Sequence, residues 1–325
     1  MSTSKQLHVV RLATAVCLLL LLNGALAQTT APVQSPSQPI RMSLIATDGF
    51  HRAVEDLHQE ELKLIEGGQS RQITFFAKDD RPLRYTIVLD TSGSFRSLLP
   101  ACLSVVKALI ENNRPSDETM LVSFVGRDQI RTEQDFTTDK SKLLDSLKGI
   151  RVQGGQTAVI DAVHIAVDAT ATAKANSADA RQVVILISDG EDRWSYYTQD
   201  QLLKLLRDKD VQIFIIGIVA HLDKDGGLIR RSPREKAEKL LISLAEETGG
   251  QVFFPKDLAG LSEAAQQINR HLGSQYIIGF DRQNKPGEKG FHKIKASIVR
   301  PGAERLVAIT RPGYWAGPRE PAQKD

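Results

Sequence analysis

Short apolar runs and amphipathic stretches alternate through the middle of the chain. The runs are rich in β-branched residues, as in strands buried on both faces of a parallel sheet, and they occupy Tyr85–Leu89, Val183–Ile187, Val211–Ile218 and Gln251–Phe254. Helical spacing of apolar residues separates them, over Leu98–Ile110, Val159–Thr170, Gln201–Asp208, Glu235–Glu247 and Leu258–Leu272. Met120–Val125 and Gln129–Phe136 add an antiparallel edge pair. The pattern predicts an α/β domain over residues 81–273, with a doubly wound, mostly parallel sheet.

The flanks of this domain show strand patterns without helical ones. They are Ser43–Ala46 and Glu61–Ile65 before it, then Gln275–Phe280, His292–Val299 and Arg305–Thr310 after it. Isolated two-stranded pieces are marginally stable. We therefore predict that residues 41–80 and 274–315 pair into one small flanking β domain, followed by an unstructured tail, residues 316–325.

The first 27 residues have the pattern of a secretory signal peptide. Lys5 and Arg11 precede an apolar run, Leu12–Leu22, and Ala25-Leu26-Ala27 follows as a cleavage site. The run is much shorter than the ~20 residues of a membrane-spanning helix. We predict an exported protein, periplasmic or secreted, with no stable membrane span after cleavage; a retained anchor is the alternative. Residues 28–40, rich in Pro, Ser, Thr and Gln, predict a flexible linker.

Charge bears on whether the chain binds nucleic acid, and cysteine content on whether disulfides stabilise it. The 42 basic and 39 acidic residues become 40 and 39 once Lys5 and Arg11 are removed. A near-neutral chain gives no electrostatic case for nucleic acid. Only Cys102 remains, so no intrachain disulfide is possible, and its place on an apolar helical face predicts a buried thiol.

Carboxylates and hydroxyls follow the predicted strands at the edge where open α/β sheets bind ligands. Asp90 opens Asp90-Thr91-Ser92-Gly93-Ser94 directly after one strand, and Asp189 comes just after another. Thr157 precedes the helix that starts at Val159. With no Cys or His nearby in the sequence, these residues predict an all-oxygen site for Mg²⁺, with Mn²⁺ or Ca²⁺ possible, rather than Zn²⁺. Ser92 and Thr157 as simple helix caps are the alternative.

Together, Asp90, Ser92, Ser94, Thr157 and Asp189 resemble the complete metal-ion-dependent adhesion site of von Willebrand factor A domains, in the family's chain order. The resemblance implies that the three hydroxyls contact the metal and that the aspartates contact it directly or through water. It also implies that a partner protein supplies an Asp or Glu as the last ligand.

The resemblance extends over about residues 42–315, to an exported bacterial subgroup of the family. It is carried by Glu60–Gly68, Ile73–Phe76, Leu244–Gly250, Gln275–Phe280, Phe291–Lys295 and Arg311–Tyr314. One detail departs from the family pattern, because Gln156 intervenes between a glycine pair and Thr157. The resemblance implies a Rossmann-type fold and a metal-dependent adhesion or interaction module of the cell envelope or secreted fraction, not an enzyme.

Two other functions compete with this interpretation. A Mg²⁺-dependent phosphohydrolase with Asp90 as nucleophile needs an acid two residues later, where this chain has Ser92. A structural envelope protein with a purely stabilising metal is the other. Motifs of serine hydrolases, zinc proteases and nucleotide-binding loops do not occur.

Six further residues near the two loops allow both a structural and a functional interpretation. Asp161 could lie in the outer shell of the metal site or cap a helix, and Asp192 and Ser195 could line the rim where a partner binds. The aromatic residues of the same segment could contact the partner or pack beneath the loop: Trp194, Tyr196 and Tyr197.

Overall fold

The computed structural model describes residues 39–172, 179–223, 231–281, 290–302 and 305–316. The predicted signal peptide, the linker up to residue 38 and the tail after residue 316 lie outside the described residues. The strands of the described part are β1 Ile40–Thr47, β2 Leu62–Glu66, β3 Gln69–Arg71, β4 Ile73–Lys78, β5 Leu83–Asp90, β6 Glu118–Phe124, β7 Ile130–Thr137, β8 Arg181–Ser188, β9 Val211–Gly217, β10 Val252–Phe253, β11 Tyr276–Phe280, β12 Gly290–Ile298, β13 Val307–Ile309 and β14 Gly313–Ala316. The α-helices there are α1 Leu99–Glu111, α2 Lys140–Leu147, α3 Val159–Thr172, α4 Gln199–Asp208, α5 Pro233–Thr248 and α6 Leu258–Gly273. None of these helices is long and apolar enough to cross a membrane.

A six-stranded sheet forms the centre of the fold, in the order β10-β9-β8-β5-β6-β7. All neighbouring pairs are parallel except β6 and β7, which are antiparallel. Every residue of β5 is buried, as the continuous apolar runs require of strands covered on both faces. The predicted mostly parallel, doubly wound sheet is confirmed.

Helices cover both faces of this sheet. Side chains of α1, α2 and α6 share one hydrophobic cluster with the sheet, and those of α3, α4 and α5 share a second cluster on the other face. Cys102 lies fully buried in the first cluster, as its helical face predicts. The three-layer arrangement leaves the carboxyl ends of β5, β8 and β9 at one edge.

Two four-stranded antiparallel sheets combine strands from the two flanks. Their orders are β13-β1-β11-β4 and β14-β12-β2-β3. In the first, β1 and β4 precede the central sheet in the chain while β11 and β13 follow it; in the second, β12 joins β2 to β14. Both sheets contribute to one apolar cluster that includes Leu44, Leu64 and Phe280. The predicted pairing across the inserted domain is therefore observed.

Four elements were not predicted as such from the sequence: β3, β4, α2 and β14. The side chains of β3 are polar and largely exposed, so the strand has no apolar alternation. Helix α2 is short and buries only Leu143 and Leu147. Strand β14 lies at a sheet edge beside β12, where pairing rather than periodicity defines it. For β3 and β14, pairing with a neighbouring strand decides what the local pattern leaves open.

Candidate metal centre

Asp90 is the last residue of β5, and its carboxylate is fully buried at the carboxyl edge of the central sheet. Its Oδ1 accepts the Ser92 backbone N–H at 2.9 Å. Its Oδ2 accepts the Ser188 hydroxyl at 2.9 Å, and Ser188 ends the neighbouring strand β8. Both oxygens therefore already have donors, and the side chain is held in one orientation.

Ser94 joins the loop after β5 to the loop after β8. A short 3₁₀ turn, Gly93–Phe95, brings its hydroxyl to 3.0 Å from the Ser92 hydroxyl. Ser94 Oγ also donates to Asp189 Oδ2 at 2.8 Å. Asp189 is only 1% exposed, whereas Ser94 is exposed. The two predicted carboxylates thus lie at one edge, with an accessible hydroxyl beside them.

Thr157 lies on a third loop that contacts both of the others. Its carbonyl accepts the backbone N–H groups of Arg193 at 2.9 Å and Trp194 at 3.1 Å, from the loop after β8. Just before it, the Gln153 N–H donates to the Thr91 carbonyl at 2.8 Å. The Thr157 side chain is buried. All five predicted residues therefore lie at the end of β5 or on three loops that are hydrogen-bonded to each other.

Two buried carboxylates, Asp90 and Asp189, repel each other at this edge of the sheet. Burial, followed by repulsion from Asp189, raises the pKa of Asp90 from 3.8 to about 7. A bound cation would remove the repulsion and favour the ionised form. Within the described residues, no three His, Cys, Asp or Glu side chains cluster closely enough to hold a metal by themselves. Any cation here would depend on the hydroxyls, and the oxygen donors suit a hard ion.

A histidine that the sequence reasoning missed lies beside the same carboxylate. His221 Nε2 is 3.3 Å from Asp189 Oδ2, and the imidazole side chain is 34% exposed. The hydrogen bond with Asp189 raises the pKa of His221 against the opposing effect of burial. No His is near Asp189 in the sequence, but the fold brings this one to its carboxylate, so the polar atoms at this edge are not all oxygens. His221 follows β9, the parallel neighbour of β8, so the shared sheet edge was the available signal.

Asp161, Asp192 and Ser195 organise the loop after β8 and the start of α3. Asp192 Oδ1 accepts the Ile160 N–H at 3.1 Å, and Ser195 Oγ accepts the Asp161 N–H at 3.1 Å, which satisfies free donors at the helix N-terminus. The Asp161 carboxylate accepts the N–H groups of residues 196 and 197 at 2.8 and 2.9 Å. Asp192 and Ser195 therefore cap the start of α3, whereas the Asp161 carboxylate holds the loop before α4 rather than capping a helix.

The aromatic residues of this loop divide into exposed and packed ones. Trp194 is 49% exposed and Tyr196 is 71% exposed. The guanidinium of Arg127 lies 5.2 Å from the centroid of the Trp194 ring. Tyr197 instead stacks on His164, with ring centroids 3.7 Å apart. The loop therefore presents two aromatic side chains to solvent beside Thr157.

Solved structures with similar folds include bacterial and animal proteins. An aerotolerance-related membrane protein from Bacteroides fragilis is 18% identical, with a TM-score of 0.46, covering 58% of this chain and 98% of that one. BatB from Bacteroides thetaiotaomicron is 17% identical, with a TM-score of 0.44, and the match covers 59% of this chain and 100% of that one. Proximal thread matrix protein 1 from the mussel byssus is 17% identical, with a TM-score of 0.47, and the match covers 65% of this chain and 50% of that one. That protein was solved with zinc in its metal-ion-dependent adhesion site (MIDAS) motif.

Sequence comparison identifies the domain itself. No curated protein sequence matches the chain. The von Willebrand factor type A domain model matches residues 86–267, from within β5 to within α6. The match includes Asp90, Thr157 and Asp189 and covers more than half of the 325 residues. The chain therefore belongs to the von Willebrand factor type A domain family.

Proposed function

We propose that this chain is a metal-dependent protein-binding module that holds Mg²⁺ at Asp90, Ser92, Ser94, Thr157 and Asp189. The hydrogen bond from Ser94 to Asp189, at 2.8 Å, carries the proposal because it joins the two halves of the predicted site. Domains of this family are generally protein-interaction modules. Mn²⁺ or Ca²⁺ would fit the same oxygen donors.

The chemistry of the donor set explains why such a site would bind another protein. Three of the five side chains are neutral hydroxyls, so a divalent cation there keeps much of its positive charge. The cation would then accept an Asp or Glu carboxylate of the partner. A charge-assisted contact of this kind is strong when it is desolvated at the centre of an interface.

The surroundings of the site provide additional contact surface. Trp194 and Tyr196 are exposed, and aromatic side chains of this kind are frequent binding hot spots. The backbone of Trp194 is held by the Thr157 carbonyl, so this residue lies beside the proposed metal site. We propose that the partner is met outside the cytoplasm, in the periplasm or the secreted fraction, after the signal peptide is removed.

Partner capture with and without the cation tests the proposal. Mature protein is used to capture ligands from envelope extract in Mg²⁺ and again after chelation, and one captured partner is then purified. Asp90→Ala and Asp189→Ala should abolish binding, while Ser92→Ala and Thr157→Ala should weaken it because each removes one neutral ligand. Asp145→Ala is the matched control, since this carboxylate lies exposed on α2. Circular dichroism should be unchanged in all five variants.

Two results would contradict the proposal and favour a different function. Equal affinity of the partner for chelated protein, Asp90→Ala and wild type would favour a purely structural metal. Hydrolysis of a phosphomonoester that requires Mg²⁺ and is lost in Asp90→Asn would favour the phosphohydrolase. The absence of an acid at Ser92 leaves that reaction without an evident proton donor.

A further inference from the structure

His221 is held at the open side of the candidate metal centre by the loop that follows β9. The Ile218 N–H donates to the Ser188 carbonyl at 2.9 Å, which ties this loop to the end of β8. Leu222 is buried, and its N–H donates to the Val219 carbonyl at 3.1 Å. These contacts hold the backbone next to His221 at the sheet edge, and its imidazole reaches Asp189 Oδ2 at 3.3 Å.

The hydrogen-bonded polar atoms along this edge have separations that would also suit neighbouring ligands of one metal ion. Ligand atoms lie about 2.0–2.2 Å from Zn²⁺ or Mg²⁺, so adjacent ligands of one ion are separated by about 3 Å. The observed separations are 3.0 Å between Ser92 Oγ and Ser94 Oγ, and 2.8 Å between Ser94 Oγ and Asp189 Oδ2. The contact between Asp189 Oδ2 and His221 Nε2, at 3.3 Å, continues the same row.

We propose that His221 Nε2 is an additional ligand of this centre and that it shifts the preference of the site from Mg²⁺ towards cations that accept nitrogen, above all Zn²⁺. The proposal rests on the proposed metal site of the preceding section. Imidazole nitrogen binds Zn²⁺, Ni²⁺ and Cu²⁺ well, whereas Mg²⁺ and Ca²⁺ prefer oxygen. Removing the imidazole should therefore reduce Zn²⁺ affinity far more than Mg²⁺ affinity.

A purely hydrogen-bonding role of His221 predicts a different result. In that role the Nε2–H would orient Asp189, and a glutamine side chain, whose amide also donates, would replace it. An amide nitrogen does not bind a metal as imidazole does. His221→Gln and His221→Ala therefore separate the two roles, because only the hydrogen bond is restored by glutamine.

The experiment uses the mature full chain, freed of metal by chelation and titrated calorimetrically with Zn²⁺ and with Mg²⁺ at one neutral pH. His221→Gln should bind Zn²⁺ about tenfold or more weakly than wild type, since substitutions around a metal site typically reduce metal affinity by about that factor. Its Mg²⁺ affinity should be unchanged. His58→Gln is the matched control, since His58 is exposed and lies just before β2. Pulsed EPR of the Mn²⁺-loaded protein should show imidazole nitrogen coupling in wild type and His58→Gln, and none in His221→Gln.

Each possible outcome decides the inference. Cation binding that depends on Asp90 but shows no nitrogen coupling and no change in His221→Gln would overturn the role of His221 and leave the proposed function intact. Normal Zn²⁺ affinity in His221→Gln with loss only in His221→Ala would assign a hydrogen bond instead of a ligand. A wild-type protein that binds neither Zn²⁺ nor Mg²⁺ would overturn both proposals together.

Discussion

Replacement of Asp90 by asparagine should stabilise the metal-free protein while removing its response to metal. Asparagine has the same shape as aspartate, so its Oδ1 can keep the Ser92 N–H contact and its Nδ2 can donate to the Ser188 hydroxyl in place of the bond that Asp90 accepts. The substitution removes the buried negative charge and reverses the hydrogen bond with Ser188. Repulsion from Asp189 and the cost of desolvating a carboxylate disappear with it.

The pKa of Asp90 gives the magnitude. Its rise from 3.8 to about 7 means that ionised Asp90 destabilises the metal-free fold by up to roughly 4 kcal/mol, at about 1.4 kcal/mol per pKa unit. Because the folded-state pKa is the higher one, the fold binds this proton more tightly than the unfolded chain does. The stability that protonated Asp90 contributes is therefore fully present below about pH 4 and is lost as the pH rises through about 7.

Urea denaturation in the presence of chelator, repeated from pH 4 to 8, measures the difference in unfolding free energy between wild type and Asp90→Asn. Asp90→Asn should match wild type at the acid end and become more stable than wild type as the pH increases. Millimolar Mg²⁺ should then stabilise wild type and leave Asp90→Asn unchanged. Wild type that equals or exceeds the variant at pH 8 in chelator would refute the electrostatic reasoning, whatever the metal does.

Other expectations follow from the same contacts. At tenfold over its dissociation constant, Mg²⁺ should stabilise wild type by about 1.4 kcal/mol, or on the order of 3–6 °C in Tm, as measured by calorimetry. Asp161→Ala should cost about 2–4 kcal/mol in urea denaturation, because it leaves two backbone N–H groups without their charged acceptor. Gly190→Ala should cost about 1–3 kcal/mol, since this residue has φ 75° and a Cβ would lie 2.8 Å from Leu241 Cγ. A fragment of residues 81–273 should fold alone, whereas residues 42–80 should not; a protease-resistant 42–80 fragment would contradict the proposed domain boundaries.

The sequence by itself determined the central domain and the placement of the two carboxylates. Strands covered on both faces need continuous apolar runs, and helices between them need a 3.6-residue period, so both are visible without a structure. Asp90 and Asp189 come directly after two such runs, and parallel strands end at the same edge. The pairing of the flanks also followed from physics, because the two strands predicted before the central domain would be marginally stable alone.

Only the tertiary structure decided which distant residues join the edge and what the loop residues do. His221 comes 32 residues after Asp189 along the chain, and it meets that carboxylate because β9 lies next to β8 in the sheet. The role of Asp161 in holding the loop before α4 depends likewise on N–H groups 35 and 36 residues further along. Hydrophobic periodicity reports a residue's own element and its buried face, whereas such contacts depend on strand order and loop path, which arise when the whole core packs.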